Sequence, residues 1–465
     1  MELNGKRALV VGLGKSGVAS ALFMKAHGAR VTVSDTKSGD ELRNEIPVLL
    51  DHGITVETGG HGDRTFRGQD LIVVSPGVPV DAPPLVQARS LGETVIGEIE
   101  LAAQFLPGPV MAITGSNGKT TTTTLAGEIM AAAGFPVLVG GNIGTPAISL
   151  AERAKLDTVI VLEVSSFQLE TIQTFRPKVA VVLNVTPDHL DRHGTMEHYA
   201  ALKARLVERA RRAVIGQDDH CSRDVAERLR LAGGDVELVS AHQPVPHGWY
   251  ALGTELFADA AAVDPRGAFA DLAGVGALRG RHNIQNALAA SACALGLGLS
   301  AAEVRAALRT FPGLAHRLEE IGRLGRTLFI NDSKATNADS TATALTAFAG
   351  DVFWILGGRA KEGGILDLAP LFARIARAYL IGEASDVFAA TLNGKVAFER
   401  CGTLPVALAR AARDAADSAA TEPVVLLSPA CASYDQYPNF EVRGDHFRAL
   451  VAALPGIKLR RDEGR

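Results

Sequence analysis

Cysteine is scarce and poorly spaced for cross-linking: the four in 465 residues, Cys221, Cys293, Cys401 and Cys431, make no CxxC pair and no disulfide-like pattern. Free thiols in a reducing compartment are expected. A surplus of charge is missing too. A net charge of −4, with 21% charged residues, gives no electrostatic footprint for nucleic acid, so the expected partner is a small molecule. Long apolar runs are also lacking. The uncharged stretch 129–151 is broken by Gly134, Pro136, Gly140, Gly141, Gly144 and Pro146, and 287–302 falls short of the ~20 residues a membrane span requires. No membrane insertion is expected. The first residues, Met-Glu-Leu-Asn-Gly-Lys-Arg, lead straight into a strand without the apolar core and cleavage site of an export signal, so a cytoplasmic location is expected.

What is present is a long chain, 47% hydrophobic, which at roughly 150 residues per domain suggests three domains. Its centre of gravity is Val110-Met-Ala-Ile-Thr-Gly-Ser-Asn-Gly-Lys-Thr-Thr121, an apolar strand that breaks into a glycine loop. Gly115 and Gly118 let backbone N–H groups turn towards an anion, Lys119 can reach terminal phosphates, and the Thr120 hydroxyl can ligate Mg2+. The usual pattern has glycine where Ile113 stands, so this is a variant with its first glycine at Gly115.

Residues 7–35 read as strand, turn, helix and strand, with Gly12, Gly14, Gly17 and Asp35 at the positions of a dinucleotide fingerprint. Gly12 suits a tight turn, Gly14 a close backbone approach to a pyrophosphate, Gly17 helix packing, and Asp35 a ligand hydroxyl. NAD, FAD, another diphosphate such as a UDP-sugar, and a purely structural turn all fit this pattern. Leu71-Ile-Val-Val ends in a Ser-Pro-Gly turn, as expected at the ligand edge of a parallel sheet, and the first domain closes near Gly97. A second domain alternates strands (136–140, 158–163, 179–184) with helices (196–212, 283–297), implying a parallel sheet covered on both faces. Residues 244–276 are less regular and read as a small β insertion or meander. A third domain opens around 313–317 and repeats the doubly wound pattern, with strands ending at Asn331, Gly357, Gly382 and Ser428. The fold class is thus α/β in three domains: a Rossmann-like domain over 1–97, a central P-loop domain with a parallel sheet over 98–313 and a Rossmann-like domain over 314–465.

Chemistry gathers at strand ends. Glu163 closes a β-rich run and could hold Mg2+ beside Thr120. Residues 184–193, Asn-Val-Thr-Pro-Asp-His-Leu-Asp-Arg-His, set two carboxylates and two imidazoles after the next strand, where Asp188 or His189 could meet metal or phosphate. Arg281-His-Asn-Ile-Gln-Asn286 opens a helix that could read a base or phosphate, or simply cap itself. Asn331-Asp-Ser-Lys-Ala-Thr-Asn337 brings a cation and hydrogen-bonding groups to a strand-to-helix turn, which suits a dicarboxylic substrate.

These segments together, with His316-Arg317 and Pro429-Ala-Cys-Ala-Ser433, resemble the Mur ligases over essentially the whole chain. Residues 333–337 and 428–433 resemble the glutamate-adding members rather than the diaminopimelate-, lysine- and alanine-adding ones. The resemblance implies a first domain that binds UDP rather than NAD, a central ATPase and a mobile third domain that brings the amino acid. It implies UDP-N-acetylmuramoyl-L-alanine and D-glutamate as substrates in cytoplasmic peptidoglycan precursor synthesis. ATP would phosphorylate the muramoyl-alanine carboxylate and the amine would displace phosphate.

By the same resemblance Gly115, Ser116, Asn117, Gly118, Lys119, Thr120 and Thr121 serve ATP, joined by Asn283, Asn286, Arg317 and Asp332. Two Mg2+ ions are implied, held by Thr120, Glu163, His189 and Lys203, with Lys203 carbamylated into an anionic oxygen ligand. Lys119, His189 and Lys203 are then the catalytic group. Ser16, Asp35, Thr36, Ser75, Gly77, Asn142 and Gln168 fall at UDP-substrate positions, and Lys334, Thr336, Lys361, Ser433 and Phe440 at D-glutamate positions. Two places depart from the pattern: Lys37 stands where arginine is expected, and the loop 357–364 differs around Lys361. A monomer is expected. A nicotinamide-dependent oxidoreductase would leave Lys119, Glu163 and Lys203 without work, a P-loop regulatory module with no bond-forming step would bind ATP without amino-acid-dependent phosphate release, and a folylpolyglutamate synthetase would not be expected to carry this first domain.

Overall fold

In a computed structural model the described residues are 1–62, 64–258, 267–360 and 363–460. The chain divides into two compact units, Met1–Asp271 with Gln285–Arg309, and Leu272–Ile284 with Thr310–Arg465. No helix among the described residues is long and apolar enough to cross a membrane.

The first unit holds two sheets. One contains β1 (Arg7–Val11), β2 (Arg30–Ser34), β3 (Thr55–Glu57), β4 (Leu71–Val74) and β5 (Val95–Gly97) in the order β3-β2-β1-β4-β5, all parallel. Leu71-Ile-Val-Val74 is buried at every position, because helices cover both faces of a parallel sheet and neither set of alternating side chains meets water. Strand order reverses at β1, which pairs with both β2 and β4. The Gly12 turn and Ser75 therefore lie side by side at the carboxyl edge, the usual ligand crevice of such sheets.

The second sheet runs through β6 (Val110–Thr114), β7 (Val137–Gly141), β8 (Val159–Glu163), β9 (Val179–Val182), β10 (Arg212–Gly216), β11 (Val236–Ser240), β12 (Gly248–Leu252), β13 (Glu255–Ala258) and β14 (Ala270–Asp271). Its order is β14-β13-β12-β11-β10-β9-β6-β8-β7. β13 is antiparallel to β12 and to β14, the expected insertion or meander, and residues 259–266 of that segment lie outside the description. β6, which delivers the glycine loop, sits between β8 and β9, with Ile113 opposite Glu163 and Thr114 opposite Val182. The two sheets are tied by a short helix, Glu98–Ala103. Buried Glu98 accepts from the Ile148 amide at 2.7 Å, and buried Glu100 accepts from the amides of Gln173, Thr174 and Phe175 at 2.7 to 3.1 Å.

The second unit carries β15 (Glu319–Leu324), β16 (Thr327–Asn331), β17 (Val352–Gly357), β18 (Ile375–Ile381), β19 (Phe398–Gly402), β20 (Val424–Leu427) and β21 (Lys458–Leu459), in the order β19-β18-β17-β20-β16-β15-β21. The five strands from β19 to β16 are parallel, and β15 and β21 add an antiparallel edge that the repeated doubly wound pattern did not anticipate.

Candidate active site

The glycine loop is held from the neighbouring strand. Asn184, just past β9, accepts the Asn117 amide at 2.8 Å and donates to the Asn117 carbonyl at 3.2 Å, while the Ser116 amide donates to the Asn184 carbonyl at 2.9 Å. Gly118 has φ 86, and a Cβ there would stand 2.3 Å from Asn286 Oδ1. The helix that follows, Lys119–Ala132, has no side-chain cap, so its first turn presents the positive end of its dipole to an anion.

Two lysines meet at one carbonyl. Lys119 Nζ donates to the carbonyls of Gly115 and Ser116 at 2.9 Å each, and Lys203 Nζ donates to the same Gly115 carbonyl at 2.9 Å. Lys203 comes from the helix Met196–Glu208 and is 1% exposed. Burial pushes its ammonium well below the ordinary lysine range; Lys119 adds repulsion and Asp188 opposes both. The shift favours the uncharged, nucleophilic form of this amine over the ammonium.

Glu163 ends β8 with a buried carboxylate. Oε1 accepts from Asn142 Nδ2 at 2.9 Å, and Oε2 is buried without a hydrogen-bond partner. His189 is half exposed, has φ 51, and lies 3.6 Å from Asp188 and 5.0 Å between ring centres from Phe167. The turn behind it, Leu190–His193, is pinned by His193 Nε2 to Ser166 Oγ at 2.9 Å and by Arg192, which pairs with Glu170 at 2.9 Å and donates to the Val78 carbonyl at 3.2 Å.

At the edge of the first sheet, Ser16, Asp35, Thr36, Ser75 and Gly77 line one cavity of about 390 Å³. Gly14 leaves the space around its Cα open, whereas a Cβ on Gly17 would stand 1.9 Å from the Gly12 carbonyl oxygen. Asp35 is not simply waiting for a ligand hydroxyl: Oδ2 accepts the Leu13 amide at 2.6 Å and Oδ1 the Lys37 amide at 2.8 Å, so the carboxylate first holds its own loops. Asn142 and Gln168 are not in this cavity's lining. Asn142 is spent on Glu163, and buried Gln168 closes a capping box with Ser165.

Asn286 likewise turns inward: it is 2% exposed and accepts the Thr122 hydroxyl at 3.1 Å, which makes it a support of the loop from behind.

In the second unit the Asp332 carboxyl is buried, accepting the Leu318 amide at 3.2 Å and the Ser428 hydroxyl at 2.8 Å. Burial raises it to about 7, against the lowering pull of these bonds and of half-buried Arg317. Asn283 is buried and donates to the Arg279 carbonyl at 2.9 Å. Lys334 places its ammonium 5.9 Å from the centre of the Phe440 ring, Thr336 is half-buried on the same loop, and Ser433 is buried after β20. Lys361 lies outside the described residues.

Three family models cover most of the chain: the Mur ligase MurD-like N-terminal domain matches residues 6–97, the Mur ligase middle domain 113–294, and the Mur ligase glutamate ligase domain 316–431. The UDP-N-acetylmuramoylalanine–D-glutamate ligase of Koribacter versatilis is 49% identical over 98% of this chain and 99% of its own. That of Nitrobacter hamburgensis is 48% identical over 97% of each. The chain belongs to the Mur ligase family. Its fold is shared by the UDP-N-acetylmuramate-alanine ligase of Thermotoga maritima (TM-score 0.55, 19% identity, 95% of this chain and 98% of that one). A pseudomurein peptide ligase of Methanothermus fervidus shares it as well (TM-score 0.55, 18% identity, 96% of this chain and 99% of that one).

Mur ligases work with ATP and Mg2+, and the residues here fit such an ion. Among the described residues no three His, Cys, Asp or Glu side chains converge as a self-sufficient metal cage. Mg2+ does not need one, since it is usually held by one or two protein groups, water and substrate phosphates. The orphaned Glu163 Oε2, one strand from the glycine loop, is such a group. Sequence reasoning missed His61, which lines the first cavity and takes part in a 2.8 Å hydrogen bond with Ser34 Oγ. It also missed buried Arg443. Neither sits in a recognisable motif; only folding brings them to a strand end.

Proposed function

We propose that this Mur ligase joins D-glutamate to UDP-N-acetylmuramoyl-L-alanine, with ATP converted to ADP and phosphate, as a step in cytoplasmic peptidoglycan precursor synthesis. The observation that carries the chemistry is the meeting of Lys119 and Lys203 at the Gly115 carbonyl, under a glycine loop that opens a helix. The substrates rest on relatives of that name at nearly half identity over nearly the full length.

The γ-phosphoryl group passes to the muramoyl-alanine carboxylate, the amine of D-glutamate attacks the acyl phosphate, and the tetrahedral intermediate expels phosphate. Two anions must approach each other in the first step. Lys119, on the loop that cradles the phosphates, screens them, and the first turn of its helix adds dipole stabilisation. Thr120 and Glu163 would hold one Mg2+, and His189 with carbamylated Lys203 a second; bound there, the ions would neutralise charge that grows during transfer. The buried amine of Lys203 suits carbamylation because burial favours its uncharged form, whose lone pair can add to CO2 with loss of a proton. Residues 1–97 bind the UDP substrate through Ser16, Asp35, Thr36, Ser75 and Gly77, with Asn142 and Gln168 contributing at the central sheet. Residues 98–313 bind ATP through 115–121, and residues 314–465 bind D-glutamate through Lys334, Thr336, Lys361, Ser433 and Phe440. Asn283, Asn286, Arg317 and Asp332 support the nucleotide. The enzyme works as a monomer.

Phosphate release from ATP with Mg2+ and UDP-N-acetylmuramoyl-L-alanine should depend on D-glutamate, and should fail with L-glutamate, D-alanine and L-lysine. Release with none of the four amino acids would refute the reading.

A further inference from the structure

Arg192 stands in the turn Leu190–His193 that follows His189, and one nitrogen of its guanidinium bonds to two distant parts of the first unit. Nη2 donates to the Val78 carbonyl at 3.2 Å and to Glu170 Oε2 at 2.9 Å. The guanidinium carbon also lies 5.6 Å from the centre of the Phe167 ring. The Glu170 side chain is 8% exposed and that of Arg192 23%, so this pair is largely shielded from water and holds its geometry better than a solvated ion pair.

The two ends of the bridge belong to different sites. Val78 lines the cavity of the first sheet, and its Cγ2 packs so near Gly12 that a Cβ there would stand 2.7 Å away. Its amide donates to the Ser75 carbonyl at 3.0 Å, and the Ser75 hydroxyl donates to the Gly12 carbonyl at 2.7 Å. Gly12, Ser75 and Val78 are therefore one connected wall. At the other end Glu170 directly follows the short helix Ser166–Leu169, whose Phe167 packs on the His189 ring at 5.0 Å between centres. His189 is half exposed and holds φ 51, a left-handed backbone that a histidine keeps only where its surroundings impose it. Arg192 and His193 both anchor its turn, and of these two Arg192 is the one that reaches the first sheet.

We propose that Arg192 is a positioning residue that couples the two substrate sites. A ligand that orders the wall of the first cavity also fixes the turn carrying His189, and an ion or phosphate held at His189 also fixes the wall. This rests on the reading of the first cavity as the UDP-substrate site and of His189 as part of the ATP and Mg2+ site. Coupling of this kind is reciprocal, so a single factor measures it from either side.

The test is calorimetric and needs no turnover: the Kd of UDP-N-acetylmuramoyl-L-alanine for the full-length protein, with and without Mg2+ and a non-hydrolysable ATP analogue, in wild type, R192Q and R192K. Wild type is expected to bind the UDP substrate roughly fivefold or more tightly when the nucleotide is present. In R192Q that factor should fall nearly to one while each ligand alone keeps its affinity within about twofold, a pattern that a merely structural role would not produce. R192K keeps the charge and loses the planar fork, so it should retain part of the factor. If R192Q does not fold, E170Q, which removes the anion from the bridge and leaves the Val78 bond, should likewise lower the factor. No coupling in wild type, a wild-type factor in the variants, or weaker binding of each ligand alone with the factor intact would overturn the role of Arg192. Wild-type protein that does not bind UDP-N-acetylmuramoyl-L-alanine would instead overturn the parent reading.

Discussion

A lysine buried to 1% exposure beside a second lysine is an unfavourable place for an ammonium, which makes Lys203 a sensitive probe of the chemistry. Lys203→Ala should lower kcat by roughly a thousandfold, the scale seen when a preorganised charge-stabilising group is removed, and a small carboxylic acid filling the vacated volume should restore part of it. Full activity in the unsupplemented variant would rule out an essential carbamate. At this scale the residue types were legible and their orientations were not. Lys119, Thr120 and Glu163 stand at strand and helix ends that hydrophobic patterning locates, so their neighbourhood follows from the sequence. Asn286, Asn142 and Gln168 occupy the expected segments, yet their amides are turned to Thr122, Glu163 and Ser165, a choice made by local hydrogen bonding that no spacing rule encodes.

Between residue and molecule the decisive unit is the strand-turn-helix at the start of the chain. The first helix, Lys15–Ala26, rests so close on its own turn that a Cβ at Gly17 would meet the Gly12 carbonyl oxygen at 1.9 Å and Ser75 Oγ at 2.6 Å. Gly17→Ala must shift backbone, so it should cost about 1–3 kcal/mol of stability and weaken binding of the UDP substrate with the KM for ATP unchanged. Thermal unfolding and the two KM values check this; a variant as stable as wild type with an unaltered KM for the UDP substrate would contradict it. Elements such as this one could be read ahead because the strands are continuous apolar runs and the turns carry obligatory glycines. The antiparallel edge of the second unit could not. Glu319-Glu-Ile-Gly-Arg-Leu324 shows no clean alternation, and β21 is a two-residue exposed strand, so both owe their state to the partner they pair with.

Across the whole molecule, buried carboxyls link stability to pH. Glu98 in the first unit is raised by burial to about 7, as is Asp332 in the second. Between the ordinary carboxyl range and pH 7 the unfolded chain has released these protons while the folded chain keeps them, so stability falls as pH rises through that window and levels off above it. Glu98→Gln keeps an acceptor for Ile148 and removes the ionisation. Its unfolding free energy relative to wild type should rise from pH 5 to pH 8, by an amount on the order of 3 kcal/mol at most. A pH-independent difference would show that Glu98 titrates normally.

The first unit is not contiguous in the chain: it takes Met1–Asp271, leaves, and returns for Gln285–Arg309. The returning segment contributes Ala287, Leu288, Ala290 and Ala294, each almost fully buried. During translation the central sheet must therefore wait, with an apolar face uncovered, while the ribosome adds the residues up to 309. At roughly 5–20 residues per second that delay lasts seconds. Vectorial synthesis thus gives this enzyme a vulnerable interval before its ATP-binding core can close, an interval that a folding-rate measurement on the finished chain would never register.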